Sequence, residues 1–527
     1  MRIFKRPFSI SGVAAFLIII LAGAVMLSLW SRNPEFRTPQ VGDSYVDANQ
    51  YIPGMNFARF GFRNLKFTAD YAVGPEEYHP FYYTHFPPLS DIINGVYHRL
   101  GLSRVPAQRL PGILWTLIGF FFFYKLIKAL AGDAVALAGL LVTVSNPYLL
   151  YWGDSLFSSH QWMFVFAGLY FLVSDIRRPS GLSRGLGWAG FFCAAFSNYE
   201  LIPFMVLFAA GVKILKLEEL SLRKLLFFLS APAAAFLLRN VLIIWALGFE
   251  FWHRDLAAIF LKRSYGLSST FADIYDKFPV VIWDRSPEVP EGYLLLLYRR
   301  LENLYGYGWS AAAVLLLFKS IRKRVASACG SPGIIRLAAL FLIMGSAWFF
   351  IFPQHTATHF AGSTPLLFFP FSGLLWGIFI VGIWRGAGNL KLRLGGVMLI
   401  LAALSIGRLI NHVPHRPFPG IESLPAFEGK VFSTNAIPSL VQYYTEAPAA
   451  YCNTKKRFSG FLEGDHYFLL RDDRIPHPEP EYFFSVDGFK SRELSDSFTL
   501  VESGVRYEIF RLREPSGGGK DGGQDEE

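Results

Sequence analysis

The sequence predicts a multi-pass α-helical membrane protein carrying a small α/β domain at its C-terminal end. Three observations predict it. Of the 527 residues, 52% are hydrophobic and 17% aromatic, with a mean hydropathy of +0.33, more apolar than an ordinary soluble domain. The apolar residues fall in blocks that approach the roughly 20 residues needed to cross a bilayer. Lys and Arg gather in short links between blocks, where the positive-inside rule places them in cytoplasmic loops. That same rule accounts for the net charge of +10, so the basic balance is no argument for nucleic acid.

About eleven spans are expected on the length rule, relaxed for short paired helices. They run from Ser9 to Trp30, Leu110 to Ala129, Ala134 to Tyr151, Gln161 to Val173, Leu186 to Asn198, Leu201 to Leu215, Leu225 to Leu247, Gly306 to Phe318, Ile334 to Phe352, Pro365 to Trp384 and Leu394 to Ile410. The fifth and sixth are short, and one long helix is the alternative for them. The first follows a basic start, exceeds a signal-peptide core in length and lacks a small-residue cleavage motif, so it reads as a retained anchor.

Orientation follows from the cations. Lys125 and Lys128, then Arg177, Arg178 and Arg184, then Lys213, Lys216, Arg223 and Lys224, then Lys319, Arg322, Lys323 and Arg324 all share a side with Arg2, Lys5 and Arg6. That side is cytoplasmic. The N-terminus is then cytoplasmic, the C-terminus external, and loops 31–109 and 248–305 face outward from a membrane domain of residues 1–410. Residues 411–512 read as an external α/β domain: strands at Gly429 to Asn435, His466 to Arg471, Tyr482 to Val486, Phe498 to Val501 and Val505 to Arg511, with a helix at Ile437 to Glu446. Residues 513–527, rich in Gly, Asp and Glu, are expected to be disordered. Cys193, Cys329 and Cys452 fall in different surroundings, which favours neither a disulfide nor a metal cluster.

Chemistry is expected first in the polar stretch from Gly42 to Asp91. Asp47, with Asp43 as rival, is a carboxylate just outside the membrane among aromatics, placed to take a proton from a hydroxyl. The bland reading makes both solvated loop acids. Arg239 lies inside the seventh span, where an ionisable residue marks a site or a paired charge. Its planar fork suits phosphate, and a structural pair with Asp154 or Glu200 is the alternative. Asp154 and Glu200, at the outer ends of spans, are second carboxylates near a reaction centre or interfacial caps. Arg254 and Arg263, with His253, Lys262 and Tyr265, suit either a phosphate head group or plain attraction to anionic lipid. His355 and His359 lie four apart, a spacing compatible with a metal, but no Glu follows the first to make a zinc-protease motif.

The stretches Asp47-Ala48-Asn49-Gln50-Tyr51, Asn56 to Gly61, Tyr83-Thr84-His85-Phe86-Pro87-Pro88-Leu89 and Gln108-Arg109-Leu110-Pro111 resemble the first external loop of GT-C glycosyltransferases. The likeness is to the branch holding protein O-mannosyltransferases, the aminoarabinose transferase of lipid A and lipopolysaccharide transferases. It implies a polyprenyl-phosphate sugar donor, inversion at the anomeric carbon, and a glycan, lipid or protein acceptor on the external face of the cell inner membrane. The family's catalytic Asp falls on Asp47, and His359 resembles an external His of the relatives that would contact sugar or phosphate. His85 would substitute as a hydrogen-bond donor to the donor phosphate, and from the aromatic content alone Tyr82 and Tyr83, beside the Pro-Pro turn, are the candidate sugar contacts. Two departures stand out: Ala48 and Ser44 follow the two acids where relatives carry a second acid, and His85-Phe86 stand where some carry Glu-Lys. A divalent metal is left open, since no ligand spacing demands one. A polysaccharide polymerase or ligase, a lipid-linked-sugar transporter and a non-catalytic scaffold are the other classes; a transporter predicts broken helices near the midplane, whereas the polar residues here gather on one face.

Overall fold

The computed structural model describes residues 10–32, 46–73, 79–80, 82–84, 86–145, 153–157, 159–253, 256, 294–295, 314, 316–330, 333–351, 369–386, 389–390, 396, 432–434, 449–451, 482–486, 498–503 and 507–512. The chain divides into two units, one of residues Met1–Ala69, Tyr83–Phe278 and Ile282–His415, the other of Asp70–Tyr82, Pro279–Val281 and Arg416–Glu527.

The first unit is helical. Its described helices are α1 (Ile10–Arg32), α2 (Val46–Phe60), α3 (Leu89–Arg99), α4 (Val105–Ala131), α5 (Asp133–Val144), α6 (Ser159–Arg177), α7 (Gly181–Ser197), α8 (Ile202–Ile214), α9 (Leu222–Leu247), α10 (Lys319–Cys329), α11 (Ile334–Ile351) and α12 (Phe369–Gly386). Among the described residues, three helices are long and apolar enough to cross a membrane: α1, α4 and α9; α10 and α11 together would add a bent fourth. The helix expected from Ala134 ends at Val144, and the spans expected at Gly306 to Phe318 and Leu394 to Ile410 lie outside the described residues.

The fifth and sixth spans are two helices. Asn198 breaks them: its extended backbone cannot continue α7, and its side chain accepts the amide hydrogen of Glu200 at 2.9 Å to start the 3-10 turn Tyr199–Leu201 that leads into α8. Helices α6 and α7 touch backbone to backbone, because a Cβ built on Gly190 would lie 2.7 Å from the Gly168 Cα. The core between them is Phe166, Leu169, Leu172, Phe191 and Phe228.

The segment expected as the first external loop is more ordered than its polarity suggests, since it holds both α2 and α3. Pro88 precedes α3, and Arg99 in its last turn suits the helix dipole. Gly54 of α2 lets the helices close, since a Cβ there would meet the Asn94 backbone at 3.0 Å.

In the second unit, five strands form one sheet in the order β2-β1-β3-β5-β4: β1 (Phe432–Thr434), β2 (Ala449–Tyr451), β3 (Tyr482–Val486), β4 (Phe498–Ser503) and β5 (Tyr507–Leu512). β1 pairs parallel with β2 and β3, whereas β5 pairs antiparallel with β3 and β4. The strand expected at His466 to Arg471 and the helix at Ile437 to Glu446 lie outside the described residues. This unit also contains a buried pair, Asp70 Oδ2 against His79 Nδ1 at 2.6 Å, and Tyr82, whose phenol is pushed up to about 12 by burial and then by Asp70.

Candidate active site at the head of helix α4

Three residues of α4 set the site. Arg109, Gly112 and Thr116 are spaced to share one face of the helix, and all three are buried. Thr116 donates its hydroxyl to the Gly153 carbonyl. Gly112 leaves room for the next residue: a Cβ there would lie 2.5 Å from the Asp154 backbone oxygen. The turn 153–157 is thereby laid directly on α4.

Asp47 enters from the first turn of α2. Its Oδ2 accepts from Arg109 Nη2 at 2.5 Å, and its Oδ1 accepts from the Leu156 amide at 3.0 Å and the Ser155 hydroxyl at 3.4 Å. The side chains are 1% and 0% exposed, so this is a fully desolvated ion pair, tolerable only because further hydrogen bonds complete it.

Asp154 is the second carboxylate here, 2% exposed, and its Oδ1 has no hydrogen-bond partner among the described residues. Its carboxyl is raised to about 7, first by burial, against the pull of Arg109, and with a further push from Asp47. The charges acting on Asp154 are therefore those of Arg109 and Asp47.

A buried polar layer continues from this point. Asn94 of α3 donates to the Ser90 carbonyl at 2.9 Å and reaches the Leu156 carbonyl at 3.5 Å. Ser90 Oγ bonds His160 Nε2 at 2.9 Å, Gln161 donates to the Phe157 carbonyl at 2.7 Å, and Asn198 donates to Gln161 at 3.4 Å. Next to Asn198 come Tyr199 and Glu200, the latter 4% exposed. The Tyr199 ring lies under the Arg239 guanidinium, 5.4 Å from its centroid.

Arg239 is 2% exposed. It donates Nη1 to Asn240 Oδ1 at 2.9 Å and Nη2 to the Thr84 carbonyl. Thr84 is two residues from Phe86, whose ring meets Phe157 edge-on at 5.5 Å, next to the Leu156 amide that holds Asp47.

Of the residues singled out in the sequence, Asp47, Asp154, Glu200 and Arg239 thus lie along one buried layer. Asp43, His85, Arg254, Arg263 and His359, and the side chain of Tyr83, lie outside the described residues. In the sequence Arg109 enters only as part of the Gln108-Arg109-Leu110-Pro111 stretch, with no role of its own, and the Ser155-Leu156 turn is not singled out. A signal for Arg109 existed, since a cation one position before an expected span needs a partner. Nothing in the sequence pairs it with Asp47, 62 residues earlier.

No protein-family model matches the sequence, and no curated protein matches it. Solved structures do. The chain is similar to ArnT from Cupriavidus metallidurans bound to undecaprenyl phosphate, with a TM-score of 0.41 and 12% identity over 93% of this chain and 97% of that one. It is also similar to the archaeal oligosaccharyltransferase AglB from Archaeoglobus fulgidus, in complex with an inhibitory peptide and a dolichol-phosphate, with a TM-score of 0.47 and 9% identity over 90% of this chain and 69% of that one. The reading of the site rests on the contacts described above, not on these overlays.

Proposed function

We propose that this chain is an inverting membrane glycosyltransferase of the GT-C type, moving a sugar from a polyprenyl phosphate to an acceptor hydroxyl on the external face of the inner membrane. The observation that carries the reading is that two buried carboxylates gather at this part of α4: Asp47, ion-paired to Arg109, and Asp154, whose backbone packs on Gly112 one turn further along the helix. A buried carboxyl raised to about 7 and lacking a donor on Oδ1 is matched to take a proton near neutral pH.

In this mechanism the acceptor hydroxyl gives its proton to the Asp47 and Asp154 pair, on Asp154 as the member with the unused oxygen. Asp47, held by Arg109 and the Leu156 amide, fixes the geometry beside its neighbour. The acceptor oxygen bonds to the anomeric carbon as the bond from that carbon to the phosphate oxygen breaks on the opposite face. The electron pair leaves with the lipid phosphate, and Arg239 receives that charge. Because the leaving group is already a phosphate, no general acid is needed.

The test is sugar release from a polyprenyl-phosphate sugar by the full chain, comparing wild type with Asp47→Asn, Asp154→Asn and Arg239→Ala. Loss of turnover in both carboxylate variants, with donor binding kept, supports the reading. Undiminished turnover in either overturns its part in it, and transport without transfer overturns the whole.

A further inference from the structure

The reading of Arg239 as the residue that receives the donor phosphate leaves open what fixes its guanidinium. Helix α9 carries Arg239 about two turns before its end. At Gly248 the chain takes φ +92, a left-handed conformation that glycine adopts without strain, and α9 stops there. Beyond this turn, helical residues 249–253 place Trp252 back against α9. Trp252 Nε1 donates to Asn240 Oδ1 at 2.9 Å, the same oxygen that receives Arg239 Nη1 at 2.9 Å. One amide oxygen thus accepts two hydrogens, one from the arginine and one from the start of the second external segment.

A second tie acts at the same end of α9. Lys66, in the first external loop, donates Nζ to the Ala246 carbonyl at 3.2 Å, where a cation suits the helix terminus. The end of the helix is therefore braced from both external segments. The guanidinium is held by the Thr84 carbonyl, the Asn240 amide and the Tyr199 ring together.

We propose that Asn240 and Trp252 are positioning residues for the lipid phosphate of the donor: Trp252 locks the Asn240 side chain, and Asn240 sets the plane of the Arg239 guanidinium. The inference rests on Arg239 contacting the phosphate, and its test separates the two claims. A bidentate contact of arginine with phosphate depends on the orientation of the fork, so turning that plane weakens binding while the charge stays in place.

The experiment measures binding of undecaprenyl phosphate alone to the purified full chain in nanodiscs, with the thermal midpoint of each variant recorded beside it. Losing one buried hydrogen bond of this kind corresponds to a rise in Kd of roughly threefold to tenfold. We expect that rise for Asn240→Ala and for Trp252→Phe, which keeps the ring and removes the donor. In an Arg239→Ala background, Asn240→Ala adds no further loss, because the group it positions is gone. Additive loss in that background assigns Asn240 to packing alone and overturns the proposal. If Arg239→Ala weakens binding while Asn240→Ala and Trp252→Phe do not, this inference falls and the Arg239 reading stands. If Arg239→Ala itself leaves binding unchanged, both fall.

Discussion

Asp47 and Arg109 meet at 2.5 Å with neither side chain reaching solvent, joining α2 to α4. A pair so buried cannot lose one member cheaply, because the survivor keeps its charge without its partner. Breaking such pairs typically costs about 3–5 kcal/mol. Arg109→Gln is therefore expected to lower the thermal midpoint of the detergent-solubilised chain. The double variant Asp47→Asn, Arg109→Gln is expected to lose less than the sum of the singles, since it leaves no orphan charge. Additive losses would contradict a coupled pair.

The second carboxylate titrates in the working range. Asp154 takes up its proton more readily in the fold than in the unfolded chain, being lifted from 3.8 to about 7. Its contribution to stability is complete below about pH 4 and drains away as pH rises through 7. Turnover should run the other way, climbing as the carboxylate forms. Asp154→Asn is expected to abolish turnover and to raise the thermal midpoint at pH 8 more than at pH 5. An unchanged difference between those two pH values would show that Asp154 ionises normally.

Asp91 makes a contrasting case. It sits in the first turn of α3, 2% exposed, with no hydrogen-bond partner on Oδ1 among the described residues, and burial raises its carboxyl well above the ordinary range. Burial favours its neutral, protonated form, for which asparagine is close to an isostere. Asp91→Asn is expected to leave the midpoint at pH 7 within about 1 kcal/mol of wild type, whereas Asp91→Leu, which removes the polar group from a polar layer, costs more. A large loss in the Asn variant would mean that the ionised form is the one the fold holds.

The helical membrane character was legible because it is a bulk property: runs such as Leu225 to Leu247 state it in composition, and α9 falls on that run nearly end to end. The break between α7 and α8 was only half legible, because Asn198 acts through a local cap that looks like any other polar residue at a span end. The order within the first external loop was hidden. Helix α2 carries a proline inside it, Pro53, and its mixed polarity reads as loop. Asp47 and Arg239 could be singled out because a charge beside or within apolar sequence demands an explanation. Their actual contacts could not, since Arg109, the Leu156 amide and the Thr84 carbonyl become neighbours only through tertiary packing.

Gly112 offers the sharpest test of whether the placement of the second carboxylate matters to the reaction. It is the point where α4 and the 153–157 turn touch, and a methyl group there would stand 2.5 Å from the Asp154 backbone oxygen, closer than atoms can approach. A backbone atom cannot swing aside as a side-chain tip can, so Gly112→Ala must push the turn away from the helix. Asp154 would move relative to Arg109, and the Leu156 amide relative to Asp47. Misplacement of about 1 Å at a reacting group can cost on the order of a hundredfold in rate. Arg239 and its partners on α9 are not contacted by Gly112. Turnover of Gly112→Ala is therefore expected to fall by at least about tenfold, with binding of undecaprenyl phosphate unchanged. Full turnover in a folded Gly112→Ala protein would show that the reaction does not depend on where this turn lies.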